Sequence, residues 1–285
     1  MNFRREIAAA LREDRARSDL TARWFIPRGA RGRARLVARA PGVLAGVGAA
    51  AEAFRLMGGA RLRFLAKDGD RVRPGRTVLE VRGPLRALLS AERTALNVLS
   101  HLSGVATLTR RFVDGAGRKS LQILDTRKTL PGLRDMEKYA VRCGGGVNHR
   151  RDLAAAVLIK ENHLSFYRTD RDRRDLARRV AAARRRGRTV EMECRNRAEI
   201  RWGLSVGADI LLLDNFSAAA LPAVVRWTRA EARRRGAPVP RLEVSGGVTL
   251  PVIGRLARSG VDRVSIGRLT HSAPALDFNM DVEIQ

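Results

Sequence analysis

The sequence predicts an α/β fold, and the main evidence is an alternation of short apolar runs with longer amphipathic segments after residue 104. The apolar runs are predicted strands, at residues 121–124, 156–159, 189–194, 210–213, 242–244 and 263–266. The segments with helical periodicity are residues 133–141, 170–186, 198–205, 218–235 and 250–259. Nearly continuous apolar strands between helices are typical of a parallel sheet covered by helices. Six strands, with one more expected around 141–149, predict an incomplete TIM-like α/β barrel.

A different pattern precedes this region. Residues 1–17 show helical periodicity, whereas residues 31–90 hold short apolar runs separated by turn-forming pairs such as Pro41-Gly42 and Pro74-Gly75. Residues 90–113 carry leucines at helical spacing and lead into the barrel. We therefore predict a smaller N-terminal α+β domain over residues 1–103, which the C-terminal tail 275–285 joins. The barrel domain is predicted at residues 104–274.

The net charge of +27 raises the question of a nucleic-acid partner. Only five of the 56 basic residues are lysines, so arginine fills most solvated positions. In the run 168–188, Leu176 and Val180 form an apolar stripe and arginines cover the rest of a predicted helix, which a solvated face explains. Aromatic residues make up only 5% of the chain, so stacking platforms for single strands are scarce. We expect non-specific binding at low salt and no specific nucleic-acid partner.

Other features limit the location and the cofactor class. The sequence has no apolar run of about 18 residues, and Glu6, Glu13 and Asp14 interrupt the first 20 residues. Its two cysteines, Cys143 and Cys194, form no CxxC motif. A disulfide framework and a structural zinc site are therefore not expected. The expectation is a cytoplasmic protein without a membrane segment or signal peptide.

Polar residues follow nearly every predicted barrel strand. The polar or glycine-rich strand ends are 125–128, 160–163, 214–215, 245–247 and 265–267. In α/β barrels, the C-terminal ends of the strands build the active site. A strand must end somewhere, but a whole set of ends with cations, carboxylates and glycines is poorly explained by turns alone. The pattern predicts a site at this edge of the sheet.

Glu191 and Glu193 alternate with apolar residues in the third strand, so both point to one face. If the apolar residues face the helices, both carboxylates face the barrel interior. A lone buried carboxylate is costly, so a cation or the hydroxyls of a ligand should accompany each one. The alternative for both is a salt bridge with a lysine or arginine at a strand end.

The last two strands end in Ser245-Gly246-Gly247 and Ser265-Ile266-Gly267, each before a helix. Backbone N–H groups in such loops can bind a phosphate, although simple entry into a helix is the alternative. Basic residues that can face an anion are also dense, namely Arg127, Lys128, Arg142, His149, Arg150 and Lys160. Together with the carboxylates, these groups predict an anionic substrate, a phosphorylated sugar and a divalent metal.

Residues 125–134 (DTRKTLPGLR) and 137–150 (EKYAVRCGGGVNHR) closely resemble quinolinate phosphoribosyltransferases. Other similar segments, in the same order, are 19–27, 91–97, 102–107, 158–163, 190–194, 207–216, 242–248 and 260–272. The resemblance covers essentially the whole chain. It implies an enzyme of NAD biosynthesis that converts quinolinate and phosphoribosyl pyrophosphate into nicotinate mononucleotide, pyrophosphate and CO2 with Mg2+. No covalent enzyme intermediate is required, so catalysis should come from positioning and electrostatics.

The resemblance also implies residue roles. The quinolinate-binding set is Arg93, Arg127, His149, Arg150 and Lys160. The phosphoribosyl and phosphate set is Lys128, Glu193, Asp214, Ser245, Gly246, Gly247, Ser265, Gly267 and His271. Lys128, Glu193 and Asp214 are the catalytic candidates, and Glu193 and Asp214 would hold Mg2+ indirectly, with the pyrophosphate. The family forms homodimers or larger assemblies, and Arg93 is expected to complete the site of the partner subunit.

Three departures from the family pattern affect loop details. Glu161 stands where Asp is usual, Leu130 replaces a common Thr, and residues 151–155 differ from the usual run. One alternative is a molybdenum-locus paralogue of the same fold, and another is a basic nucleic-acid-binding module. Intact Asn148-His149-Arg150 and the segment 160–163 favour the quinolinate enzyme.

Overall fold

The computed structural model describes residues 3–117 and 120–285. The chain divides into two compact units. The first contains the segments up to Arg110, Lys128–Gly146 and Arg268–Gln285, and the second contains Arg111–Arg127 and Val147–Gly267. The domain boundary at residues 103/104 stays a prediction. The first two residues of the predicted helix 1–17 lie outside the described ranges.

The first unit combines helices with a small antiparallel sheet. Its helices are α1 (Arg4–Glu13), a 3-10 turn (Ala16–Ser18), α2 (Leu20–Phe25), α3 (Val47–Met57), α4 (Leu85–Ala116, whose last turn belongs to the second unit), α5 (Arg134–Cys143) and α11 (Arg268–His271). Its strands are β1 (Arg31–Ala38), β2 (Gly42–Val43), β3 (Arg61–Phe64), β4 (Arg71–Val72), β5 (Thr77–Pro84) and β12 (Phe278–Ile284). The sheet order is β12-β1-β5-β3, and β2 pairs with β4. The C-terminal tail thus adds a strand beside β1.

Helix α3 corrects the prediction of short apolar runs throughout residues 31–90. Between β1 and β3, only Gly42–Val43 form a strand, and the helix begins at Val47. Gly46 precedes it with a φ of +87°, a conformation that glycine adopts without a steric penalty. Ala50, Ala51 and Ala53 are fully buried, and Phe54 is the one large buried side chain of this helix, so its packing face consists mostly of small residues and gives a weak apolar periodicity.

The second unit is a parallel sheet with helices between its strands. Its strands are β6 (Gln122–Leu124), β7 (Val157–Ile159), β8 (Val190–Cys194), β9 (Ile210–Asp214), β10 (Arg241–Ser245) and β11 (Arg263–Ser265). Its helices are α6 (Glu161–Leu164), α7 (Asp170–Arg185), α8 (Arg197–Val206), α9 (Leu221–Arg234) and α10 (Leu250–Arg258). The sheet order is β6-β11-β10-β9-β8-β7, and all neighbours are parallel. The sheet is open, which confirms the predicted incomplete α/β barrel.

Two local predictions for this unit have clear outcomes. Leu176 and Val180 are the buried residues of α7, as the solvated-face interpretation requires. The additional strand around 141–149 is reduced to a single parallel bridge between Leu124 and Val147. Helix α5 already occupies the chain up to Cys143, so little of this segment is left to pair with β6.

The two faces of β8 differ in chemistry. The sulfur atoms of Met192 and Cys194 lie 3.5 and 3.6 Å from the position that a Cβ would take on Gly203 of α8. These residues therefore face the helix layer, and the alternating side chains of Glu191 and Glu193 face the other side of the sheet. Among the described residues, no helix is both long enough and apolar enough to cross a membrane.

Candidate active site

The C-terminal ends of the parallel strands place polar residues side by side in the second unit. Asp214 at the end of β9 lies in register with Ser245 at the end of β10. Strand β8, which carries Glu193, pairs with β9, so the strands of Glu193 and Asp214 are neighbours, as expected from their sequence spacing. Ser265 of β11 lies in register with Leu124 of β6. One edge of the sheet thus collects carboxylates, hydroxyls and glycines.

Arg127 and Arg150 form a cationic pair near this edge. Burial lowers the pKa of Arg150, the nearby charge of Arg127 lowers it further, and Glu191 opposes both. One guanidinium nitrogen of Arg150 donates to the carbonyl oxygen of Ala156 at 3.0 Å. The Nε of Arg127 is buried and has no hydrogen-bond partner among the described residues. Two like charges held close together with an unsatisfied donor stabilise a bound anion.

His149 lies against two buried carboxylates. Its Nε2 atom is 3.0 Å from an oxygen of Glu191 and 3.5 Å from an oxygen of Glu243. Burial alone would lower the pKa of His149, but the two carboxylates outweigh it and raise the pKa to about 9. Burial and the neighbouring charge of Glu243 raise the pKa of Glu191. Glu243 is also 3.3 Å from the Nε of Arg263, so both carboxylates face a cation or a donor.

A second polar group surrounds Glu193. The ammonium of Lys160 lies 2.9 Å from one of its carboxylate oxygens. Burial raises the pKa of Glu193, and the carboxyl groups of Glu161 and Asp214 act in the same direction, whereas Lys160 opposes them. The alternative of a salt bridge at a strand end is thus realised for Glu193, while Glu191 is paired with a histidine.

The residues around Glu193 offer the type of ligand atom that a divalent cation takes. Glu161, Glu193 and Asp214 supply carboxylate oxygens, which are the ligands that Mg2+ prefers. One carboxylate oxygen of Glu161 is buried and has no hydrogen-bond partner among the described residues. Burial is the main cause of the raised pKa of Glu193, and a nearby cation would favour its ionised form.

The loop after β10 has the geometry of a tight turn. Gly246 has a φ of +93°, and a Cβ there would lie 2.1 Å from the side-chain oxygen of Asn215. Asn215 itself has a φ of +57° and donates its backbone N–H to the carbonyl oxygen of Ser245 at 3.1 Å. Gly247, with a φ of +58°, faces open space. The loop therefore depends on glycine at 246 for close approach of the β9 and β10 ends.

The second glycine-rich end is shorter. Ser265 is buried and Gly267 is half-buried, and they precede the four-residue helix α11. The backbone N–H of Ile266 donates to the carbonyl oxygen of Leu124 at 2.9 Å.

Three expected site residues belong to the first unit. Lys128 and His271 are exposed, as is Arg93 on α4.

Glu243 and Arg263 are site components that the sequence analysis missed. Glu243 is fully buried in the middle of β10, between Leu242 and Val244. It alternates with apolar residues as Glu191 and Glu193 do, so the same pattern would have selected it. The sequence around Arg263 does not separate it from the many other arginines of the chain. Its pairing with Glu243 in the register of β10 and β11 identifies it as part of the site.

Comparison with known proteins covers nearly the whole chain. Residues 19–103 match the family model described as quinolinate phosphoribosyl transferase, N-terminal domain, and residues 105–281 match the corresponding C-terminal domain. A Mycobacterium leprae protein named nicotinate-nucleotide pyrophosphorylase [carboxylating] is 39% identical over 97% of this chain and 95% of its own length. A Bacillus subtilis protein, named as a probable enzyme of that kind, is 37% identical over 88% of this chain and 83% of its own length.

Solved structures agree with the sequence matches. The crystal structure of nicotinate-nucleotide pyrophosphorylase from Ehrlichia chaffeensis superposes with a TM-score of 0.88 at 31% identity and covers 99% of both chains. The corresponding structure from Francisella tularensis gives a TM-score of 0.84 at 34% identity, with 99% and 95% of the two chains covered. The fold, the order of the segments and both domain models point to one family. This chain belongs to the quinolinate phosphoribosyltransferase family.

Proposed function

We propose that this protein transfers the phosphoribosyl group of phosphoribosyl pyrophosphate to quinolinate and releases pyrophosphate and CO2, giving nicotinate mononucleotide for NAD biosynthesis. The observation that carries the proposal is the Arg127–Arg150 pair, because its close positive charges and unsatisfied Nε suit a dianion. Quinolinate carries two adjacent carboxylates, which can accept from two guanidinium groups.

The reaction requires no covalent bond to the protein, so the protein contributes positioning and electrostatic stabilisation. As pyrophosphate leaves, C1 of the ribose becomes oxocarbenium-like, and the pyridine nitrogen attacks it. The carboxylates of Glu193 and Asp214 are suited to hold the ribose hydroxyls and to stabilise the positive centre. The loops at Gly246–Gly247 and Ser265–Gly267 are suited to the phosphate, and Lys128 and His271 are proposed to contribute through the family pattern.

Mg2+ is proposed as the cofactor. Glu193 and Asp214 would hold it, directly or through the pyrophosphate, and Glu161 adds a third carboxylate nearby. When bound, the cation supplies electrostatic stabilisation of the departing pyrophosphate. Lys160 donates to Glu193, and we infer that quinolinate competes with Glu193 for this ammonium.

The assembly is proposed to be a homodimer in which Arg93 of one subunit completes the quinolinate pocket of the other. The location is proposed to be the cytoplasm, because both substrates are multiply charged and do not cross a bilayer unaided. Arg93 lies exposed on α4, which leaves its guanidinium accessible to a second copy.

The test is formation of nicotinate mononucleotide with quinolinate and nicotinate offered in separate assays. Quinolinate should react, and nicotinate should react at least tenfold more slowly at equal concentration, because one of the two cationic groups would stay unpaired. Release of one CO2 per nucleotide should accompany the reaction. Equal rates with both acids would contradict the carboxylating assignment, and no reaction with either would contradict the transferase assignment.

A further inference from the structure

The segment 128–130 of the first unit carries the catalytic candidate Lys128 and lies outside every helix and strand of the described chain. Its backbone therefore needs hydrogen-bond partners other than those of a regular ladder. Thr270 of α11 donates its hydroxyl to the carbonyl oxygen of Lys128 at 2.6 Å. The Nε of Arg134 donates to the hydroxyl of Thr129 at 3.2 Å. Side chains thus hold the segment from two sides.

Glu137 of α5 supplies a third contact to this segment. One of its carboxylate oxygens accepts the backbone N–H of Leu130 at 3.1 Å, and the other lies 2.9 Å from Nε2 of His101 on α4. Glu137 is 0% exposed, whereas the His101 side chain is 23% exposed. A buried carboxylate is costly unless donors or cations surround it. Here each oxygen has its own donor.

The two contacts of Glu137 form a short chain from α4 to the loop. A carboxylate only accepts hydrogen bonds, so the Nε2 atom of His101 must carry a proton, which both the neutral and the cationic ring can provide. The contact to Leu130 uses the backbone, so it does not depend on the side chain at this position, where the sequence departs from the family pattern. The ring fixes one oxygen of Glu137, and the other oxygen fixes the loop.

Simple stabilisation of α5 is the alternative explanation for Glu137. Acidic side chains in the first turn of a helix are favourable, and both Asp135 and Glu137 lie there. That effect also operates at exposed positions, and it requires neither complete burial nor a bond to a residue outside the helix. The burial of Glu137 between a ring N–H and a loop N–H indicates an additional role.

We propose that Glu137 is a positioning residue that ties the backbone of the segment 128–130 to α5, with His101 holding its carboxylate, so that Lys128 is presented to the phosphoribosyl donor in one position. This proposal rests on the function proposed above, in which Lys128 acts on that donor. Glu137 and His101 act through the loop and make no contact with a substrate.

Hydrogen exchange at the backbone amide of Leu130 tests the anchor without any turnover. Pro131 has no amide proton, so Leu130 supplies the last exchangeable amide of this segment. In the wild type this amide should exchange about tenfold more slowly than in Glu137→Ala, because the buried carboxylate accepts its proton. An exchange rate in the wild type equal to that of an unstructured peptide would overturn the proposal, and so would equal rates in the two proteins.

Calorimetric binding of phosphoribosyl pyrophosphate tests the link to Lys128. Glu137→Ala should weaken this binding by about tenfold, the effect of losing one positioning hydrogen bond. Glu137→Gln should keep part of the binding, because its amide oxygen can still accept the Leu130 N–H. His101→Leu removes the other donor and should have a smaller effect. The matched control is Glu80→Ala, which removes a buried carboxylate of the first unit that pairs with two arginines and should change neither binding nor Leu130 exchange.

A double variant separates positioning from general stabilisation. If Glu137 acts through Lys128, Glu137→Ala should weaken binding of phosphoribosyl pyrophosphate in the wild-type background and add little in the Lys128→Ala background. A purely structural role would lower the affinity by the same factor in both backgrounds, and this result would overturn the proposal.

The outcomes also distinguish this proposal from the proposed function. If the wild type binds phosphoribosyl pyrophosphate and forms no nucleotide from quinolinate, the function fails, while exchange and binding still decide the role of Glu137. If the wild type does not bind this donor, the function and the link to the donor both fail, while a protected Leu130 amide would still establish the anchor. If a variant unfolds, the wild-type exchange rate gives the decision. Faster Leu130 exchange in Glu137→Ala with unchanged donor binding would overturn the link from the loop to Lys128.

Discussion

At the residue scale, the Lys160–Glu193 ion pair joins two residues that the family resemblance assigns to different substrates. Lys160 belongs to the expected quinolinate set and Glu193 to the phosphoribosyl set, yet their charged atoms are 2.9 Å apart. Each residue therefore sets the electrostatics of the other. Removal of the lysine should affect both substrates.

Lys160→Ala should shift the acid limb of the activity profile to higher pH. Lys160 lowers the pKa of Glu193 and opposes burial, so its loss should raise that pKa further. Glu193 would then be protonated, and inactive, at pH values where it is ionised in the wild type. The measurement is kcat/KM for phosphoribosyl pyrophosphate against pH, with the exposed Lys67→Ala as control. An unchanged acid limb would show that the ion pair does not govern Glu193.

Arg150→Lys should weaken quinolinate binding despite keeping the charge. The guanidinium uses one nitrogen on the Ala156 carbonyl, and its other donors remain for a carboxylate. An ammonium cannot do both in a fixed plane. We expect the KM for quinolinate to rise by about tenfold or more, with kcat changed less. Steady-state kinetics with each substrate varied in turn make the measurement, and a wild-type KM would contradict the bidentate role.

The sequence predicts some of these residues and misses others for a physical reason. Alternation along β8 correctly places Glu191 and Glu193 opposite the helix-facing sulfur atoms. The partner of each carboxylate depends on strand register and on loop path, which local patterns do not encode. For this reason the pairing of Glu193 with Lys160, and the contacts of Glu243 with His149 and Arg263, emerge only from the fold.

At the element scale, strand and helix positions in the second unit follow the sequence closely. The predicted helix 170–186 is Asp170–Arg185, and the predicted strand 189–194 is Val190–Cys194. Periodicity succeeds there because each element has one apolar face. It fails for α3, whose buried face consists mainly of alanines, and for the segment around Val147, which makes a single bridge.

Two neighbouring glycines of the β10 loop should respond differently to substitution. Gly246→Ala would place a Cβ 2.1 Å from Asn215 at a φ of +93°, so the loop must move. In Gly247→Ala, the added Cβ has no atom within 4 Å, so the only cost is the free energy of holding an alanine in the left-handed conformation, about 1 kcal/mol. We expect Gly246→Ala to lose most binding of phosphoribosyl pyrophosphate and Gly247→Ala to keep more of it.

Calorimetric binding and thermal unfolding of both variants make the comparison. The unfolding measurement separates loss of the fold from loss of the loop. Equal binding by the two variants would mean that the contact between the β9 and β10 ends does not shape the phosphate site.

At the scale of the whole molecule, the charge of +27 is largely a property of solvated arginines. Several of them form ion pairs with a carboxylate four residues away, as Arg179 does with Asp175 within α7 and Arg195 does with Glu199 of α8. Such exposed pairs neutralise part of the charge locally. The absence of a specific nucleic-acid partner stays a prediction.

Duplex DNA should bind weakly and lose affinity steeply with salt. A gel-shift series should show binding at low ionic strength that disappears at about 150 mM salt, with no preference among duplex sequences. The electrostatic part of the free energy of DNA binding weakens as salt rises for any basic surface, whereas the part that comes from contacts with bases would persist. Retention of tight, sequence-dependent binding at that salt would favour the nucleic-acid module instead.

The last prediction concerns the assembly and uses two inactive variants. Arg93 is proposed to act in the partner's site, whereas Lys128 is proposed to act in the site of its own subunit. Arg93→Ala and Lys128→Ala should each be nearly inactive alone, because every site then lacks one cation. In a mixed dimer, one site carries both defects and the other carries neither. Random mixing makes half of the dimers mixed, so about a quarter of wild-type activity should return.

The measurement is co-expression of the two variants with different affinity tags, sequential purification of the mixed dimer, and assay of nucleotide formation. The purified mixed dimer should have about half of the wild-type activity per dimer, since one of two sites is intact. Two tags on one subunit pair prove that mixing took place, which separates a failure to mix from a failure to complement. An inactive mixed dimer would place Arg93 and Lys128 in the same subunit's site, and the exposed guanidinium on α4 would then need a different role.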